Sequence, residues 1–156
     1  MLHSLLVCTL SFNLVSPPKR PDLGLPWLLD GLRGANEMRI HSEYYRDQPR
    51  WIRLFGVDVP NLSDRGYSGA RQDLEIMTGR GTSEVYFEDD DSKHPISRNA
   101  CRVQYLWLRG KLIQFELVRD GWAKVNDEGR KGRYAKYLVA AEAEAKTFHE
   151  GLWAAR

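Results

Sequence analysis

Residues 37–45 alternate between apolar and polar side chains, with Met38 and Ile40 set against Arg39 and His41. That period of two predicts a strand with one buried face. A second strand is predicted over 27–32, separated from the first by a turn at Gly34-Ala35-Asn36. Asp47-Gln48-Pro49 closes the next hairpin, and 51–57 reads as a third strand. In it Trp51, Arg53, Phe55 and Val57 share one face while Ile52 and Leu54 share the other. Arg53 is thereby placed among three apolar neighbours, an unusual setting for a charge. Two later strands are predicted at 85–87 and 102–108, the second turned by Arg109-Gly110-Lys111.

The helical period appears in three places. Ala70, Leu74 and Met77 mark one apolar face of a helix over 68–78, with Gly79 at its C-terminal cap. Residues 113–119 predict a brief helix capped by Gly121, with 122–125 as the chain's return. The clearest element is the last. Tyr134, Leu138, Ala141, Ala145, Phe148 and Leu152 recur at spacings of three or four, Glu142 and Lys146 form a favourable i, i+4 pair, and Gly151 ends the helix. Three strands, a helix, two more strands and terminal helices make a small β-barrel covered by helices, an α+β arrangement. An OB-fold is such a barrel, though strand count leaves other small barrels open.

Pro17, Pro18, Pro21 and Pro26 exclude a central strand or helix from 16–26. Residues 1–21 are accordingly read as leader and linker, and 22–156 as one domain whose regular structure begins near Trp27. The apolar run 5–15 is too short to span a bilayer. It lacks the basic n-region and small-residue cleavage site of an export signal. A cytoplasmic location is therefore favoured over secretion, and no transmembrane segment is expected.

Charge narrows the picture only slightly. The 23 basic residues face 21 acidic ones, for a net charge of +2, whereas a dedicated nucleic-acid binder usually carries a strong basic excess. Two basic clusters, Arg46/Arg50/Arg53 and Arg130/Lys131/Arg133/Lys136, read as solvated surface. The acidic run Glu88-Asp89-Asp90-Asp91 reads as a solvated loop. Cys8 and Cys101 are too few for a disulfide framework and lack metal-ligand spacing, and Cys101 reads as a buried thiol.

The segment from Ile52 to Asn61, Ile-Arg-Leu-Phe-Gly-Val-Asp-Val-Pro-Asn, resembles the central motif of the staphylococcal-nuclease (thermonuclease-like) family. Three further segments agree in order: Tyr67-Ser68-Gly69-Ala70 through Leu74; Gly110 to Ile113 followed by Glu116 to Val125; and Ala141 to Lys146 with Gly151-Leu152-Trp153. The resemblance runs from Trp27 to Trp153. It implies a five-stranded OB-type barrel and, for active members, calcium-dependent cleavage of DNA and RNA.

That chemistry needs a cation held by hard oxygen ligands, a base to activate water, and positive charge on the phosphate. By the resemblance, Arg53 fills the first phosphate-binding arginine position and Asp58 a metal-ligand position. Arg53 also reads as a barrel-mouth ion-pair partner, and Asp58 as a turn or capping aspartate. Other positions depart from the family. Asn36 stands where a metal-binding aspartate of an Asp-Gly-Asp-Thr turn belongs, and Val59 replaces a threonine. Asn61 replaces the glutamate that would act as general base, a loss on the order of 10²–10⁴ in rate. The second arginine falls on Cys101 by one count, with Arg102 one residue off, and on Arg98 by another. The expectation is a catalytically impaired module binding single-stranded nucleic acid or a protein partner, with Trp51, Tyr44, Tyr45, Tyr105 and Trp107 as possible stacking residues. The alternative is a calcium-dependent nuclease that recruits ligands such as Glu37 or Asp64. A third reading pairs Arg53 with Asp58 as a purely structural site.

Overall fold

The computed structural model describes residues 14–42, 44, 50–79, 83–90 and 101–154. Its elements are β1 (Trp27–Arg33), β2 (Glu37–His41), β3 (Arg50–Leu54), β4 (Val57–Asp58), α1 (Tyr67–Thr78), β5 (Ser83–Glu88), β6 (Cys101–Leu108), β7 (Lys111–Leu112), α2 (Ile113–Arg119), β8 (Lys124–Val125) and α3 (Ala135–Phe148), followed by a 3-10 turn at Gly151–Trp153. Strands run in the order β3-β2-β1-β5-β6, and β3 pairs again with β6 in parallel. This second pairing closes five strands into a mixed barrel, so the expected five-stranded OB-type α+β fold is present. Closure also removes free sheet edges.

The alternation read from the sequence sets which side chains enter the barrel. Met38, Ile40 and Ile52 are fully buried and Leu54 nearly so, while Arg39 and Arg53 point outward. Between β1 and β2 the register shifts across Leu29/Gly31, which leaves Asp30 as the extra residue of a bulge. Leu106, Leu112, Leu117, Leu138 and Ala141 join the same core, so α2 and α3 close one end of the barrel. Among the described residues no helix is long and apolar enough to cross a membrane.

Several expectations change. The third strand stops at Leu54 rather than continuing to residue 57, because Phe55-Gly56 forms a turn with Gly56 at φ +76°. The turn resets the alternation, so Arg53 is not seated among apolar neighbours; its side chain is 49% exposed. α3 ends at Phe148 with His149 in the left-handed region, before Gly151. Phe148 itself is exposed.

Glu88, Asp89 and Asp90 are not simply solvated, although Asp89 is exposed; Asp91 lies outside the described residues. Glu88 is 6% exposed and accepts hydrogen bonds from Trp107 Nε1 (3.1 Å) and Tyr134 Oη (2.8 Å), and it pairs with Arg133. Asp89 accepts from Gln104 Nε2 (2.6 Å), and Asp90 accepts from Tyr105 Oη (2.9 Å) and Arg133 N (3.0 Å). These carboxylates tie β5 and its following residues to β6 and to the segment before α3. Tyr105 and Trp107 are consequently core residues with no accessible ring face. Arg133 leaves the set of simple surface charges for the same reason. The Asp47–Pro49 hairpin and Tyr45 lie outside the described residues, as does the Cys101 side chain.

The proline-rich stretch carries no regular element but runs against the domain. Val15 N donates to Glu144 Oε2 of α3 (2.9 Å), Pro18 is buried, and the Arg20 guanidinium lies 4.0 Å from the Tyr86 ring centroid.

Candidate nucleic-acid cleft

Three breaks in regular structure meet at one rim of the barrel. The β1–β2 turn brings Asn36 there, and Leu54 N reaches the Asn36 carbonyl at 3.4 Å. The Phe55-Gly56 turn redirects the chain into β4, which carries Asp58. β8, directly before the loop leading to α3, pairs with β4 so that Asp58 faces Lys124 in register. Gly56 and Gly129 touch backbone to backbone, and Asn126 N donates to the Gly56 carbonyl at 3.2 Å. Only residues without a Cβ allow that approach.

The cleft between these segments has a volume of about 600 Å³ and is open to solvent. It is lined by Asn36, Arg53, Asp58, Asn61, Asp64, Arg65, Lys124, Asn126 and Glu128, with Val57, Val59, Val103 and Leu152 among its apolar contributors. Four of the six predicted catalytic and metal positions thus converge, Asn36, Arg53, Asp58 and Asn61, together with Asp64 of the alternative ligand set. The other two do not join them. Arg102 pairs in register with Ile52 and does not line the cleft, while Arg98 lies outside the described residues. Arg65, Lys124, Asn126 and Glu128 were not singled out as site residues. Lys124 stands inside one of the family-like segments, but only the two-residue β4–β8 ladder brings it to Asp58, and so short a pairing leaves no periodic signal.

Several polar groups of the cleft have defined partners. Asp58 Oδ1 accepts from Asn126 Nδ2 at 3.1 Å, and Gly129 N donates to Asn126 Oδ1 at 3.0 Å. Asp64 Oδ2 accepts from both Asn61 N (2.8 Å) and Asn61 Nδ2 (3.1 Å). Arg53 Nε lies 3.7 Å from Glu37 Oε1, so its ion-pair partner is Glu37 and not Asp58. The reading in which Arg53 and Asp58 pair with each other is thereby corrected: the β1–β2 hairpin supplies a nearer carboxylate. Arg65 Nη2 donates to the Ala154 carbonyl at 3.2 Å, and Lys124 Nζ lies 5.2 Å from the Trp153 ring centroid.

Calcium takes six to eight oxygen ligands, and its affinity rises with ligand charge. Asn36 contributes an oxygen without charge, Asp58 shares its carboxylate with Asn126, and Asp64 is turned to Asn61. Among the described residues no three His, Cys, Asp or Glu side chains come together as a metal-holding group. This donor set does not fit a tight calcium site. Asn61, an amide that serves as donor to Asp64, has no basic lone pair to take a proton from water. What the cleft does present is three cations, Arg53, Arg65 and Lys124, around one opening that Asp58, Asp64 and Glu128 also line. An arginine can meet two phosphate oxygens at once, and a half-exposed guanidinium loses little hydration in doing so.

A family model described as staphylococcal nuclease homologue matches residues 51–155. The match takes in β3 through α3 and leaves out β1, β2 and the Asn36 turn between them. Comparison with curated proteins gave no match.

Proposed function

The protein belongs to the staphylococcal nuclease family, and from that premise we propose that its cleft holds phosphates of single-stranded nucleic acid without calcium-dependent hydrolysis. The observation that carries this reading is the composition of the cleft. Arg53 remains available to a phosphate, while the neutral amides of Asn36 and Asn61 occupy positions where the family's chemistry calls for carboxylates. The Glu37 pair does not withhold Arg53. A partly exposed ion pair contributes about 0–1 kcal/mol, and a charge-assisted, bidentate phosphate contact exceeds that.

Three cations balanced by Asp58, Asp64 and Glu128 imply modest affinity, strongly dependent on salt. Arg53→Ala tests the reading: it lowers affinity for a labelled oligothymidylate about 10-fold and flattens the salt dependence by about 0.7 in logarithmic slope. Unchanged affinity and slope in Arg53→Ala would dismiss the cleft as the phosphate site.

One observation favours a second reading, a calcium-dependent phosphodiesterase. Asp58 and Asp64 line the same cleft as Arg53. On that reading millimolar calcium raises the melting temperature, because a ligand bound only to the native state stabilises it, and Asp58→Ala abolishes the rise.

A further inference from the structure

The outer face of β1–β2–β3 continues the cleft wall. Strand register places Gly31, Arg39 and Trp51 in one row across the three strands, and Arg33, Glu37 and Arg53 in the next. Arg53 therefore belongs both to the cleft and to this face. Trp51 lies two residues from it on the same side of β3, a separation of about 7 Å.

Trp51 is only partly buried, and the Arg33 guanidinium lies over its ring at 4.4 Å. A Cβ placed on Gly31 would meet nothing within 4 Å, so the row beside Arg39 is open. The arginine side chains are well exposed, 62% for Arg33 and 50% for Arg39. Glu37 pairs with Arg33 at 2.6 Å, and Asp30 lies 3.9 Å from Arg39 and also pairs with His41.

We propose that a single-stranded nucleic acid held at Arg53 continues across this face, stacking one base on Trp51 and bringing flanking phosphates to Arg33 and Arg39. The inference rests on the phosphate-binding reading of the cleft and adds a path and a contact order to it. The competing contacts are weaker than those gained. An exposed cation–π pair is worth about 2- to 5-fold in affinity, against about 5- to 100-fold for a base on an aromatic ring. Charge complementarity points the same way, since the three arginines outnumber the two carboxylates.

The test compares a 5′-phosphorylated mononucleotide with an oligothymidylate of about ten nucleotides, each titrated against the full chain. Trp51→Leu keeps the apolar bulk and removes the π face, while Trp51→Phe keeps a ring. The expected result is a loss of about 5- to 100-fold for the oligonucleotide in Trp51→Leu, with the mononucleotide unaffected and Trp51→Phe close to the parent. Arg33→Ala and Arg39→Ala each lower the salt slope for the oligonucleotide by about 0.7. Melting curves of all four variants establish that they fold.

Parent-like oligonucleotide binding by Trp51→Leu, with Arg53→Ala still defective, would overturn the path and leave the cleft reading standing. Equal losses in the Leu and Phe variants would overturn the stacking contact. Polyglutamate bound as tightly through the same arginines would reduce the face to a general anion patch and overturn the proposal. Absence of binding to either nucleotide probe by the parent would remove the cleft reading, and the inference with it.

Discussion

Glu142 is the side chain through which α3 fixes the cleft wall. It is 4% exposed, and its Oε1 accepts the Val125 backbone N–H at 2.9 Å. Its Oε2 accepts from Arg130 Nη2 (3.0 Å) and Lys146 Nζ (2.8 Å). Val125 lies between Lys124 and Asn126, both of which line the cleft. Glu142→Ala leaves the Val125 N–H buried without an acceptor, costing about 1–3 kcal/mol. The Arg130 and Lys146 side chains are 43% and 46% exposed, so each lost pair adds only about 0–1 kcal/mol. The total is about 1–5 kcal/mol, or roughly 2–20 °C in melting temperature for a chain of this size. Glu142→Gln retains an oxygen for Val125 and should cost about 1 kcal/mol.

Burial pushes the Glu142 carboxyl upward, but the Lys146, Val125 and Arg130 hydrogen bonds outweigh it and hold the group below the ordinary glutamate range. A depressed value stabilises the fold above the unfolded pKa of about 4.3, and that contribution is lost as pH falls through the folded value. The gap between parent and Glu142→Ala should be full near neutrality and narrow in acid. Thermal denaturation by circular dichroism measures the gap, and amide exchange at Val125 reports the bond itself. A melting temperature within about 1 °C of the parent, or a Val125 amide still protected in the Ala variant, would show that Glu142 does not hold β8 in place.

Three further outcomes follow from the same structure. Asp73 has its carboxyl pushed up to about 6 by burial first, then by Asp120 and Glu116, with Arg119 opposing, and among the described residues its Oδ2 has no hydrogen-bond partner. A raised carboxyl favours the fold fully below the unfolded value of about 3.9 and loses that contribution as pH rises through about 6. Asp73→Asn should therefore stabilise by about 1 kcal/mol above pH 6, after allowance for the group's partial exposure, and leave stability near pH 4 unchanged; equal melting shifts at both pH values would contradict this. Gly129→Ala drives a Cβ into the Gly56 carbonyl well inside van der Waals contact and should cost about 3 kcal/mol, whereas Gly31→Ala, with open space above it, should fall within about 0.5 kcal/mol of the parent; denaturant melts distinguish them. Glu88→Ala strands the Trp107 N–H and Tyr134 hydroxyl and should cost about 3 kcal/mol with altered near-ultraviolet dichroism, and an unaltered spectrum and midpoint would show that the acidic segment is not structural.

The barrel was legible because its signals are repeated. Alternation at Met38 and Ile40, the cap at Gly79 and the stripe from Tyr134 through Ala145 each specify an element, and neighbouring elements agree. Strand ends were less legible. Phe55 and Val57 continue an apolar alternation, while the turn that interrupts it depends on a contact between Gly56 and Gly129, distant in the chain. The acidic run misled for a related reason: consecutive carboxylates read as solvated unless the donors are known, and Trp107, Tyr134, Arg133, Gln104 and Tyr105 come from β6 and the approach to α3. In the cleft, Arg53, Asp58, Asn36 and Asn61 were found because a family motif or turn marked their positions. Lys124 and Asn126 were not, since they reach Asp58 through a ladder two residues long.

The central claim, a cleft that holds phosphate without calcium-dependent hydrolysis, is tested most directly by titrating the protein with a labelled oligothymidylate in chelator and in millimolar calcium, reading binding and chain length together. The expected result is Arg53-dependent binding of similar strength in both conditions and an oligonucleotide that stays intact. Calcium-dependent shortening of the oligonucleotide, abolished by Arg53→Ala and by chelation, would contradict it.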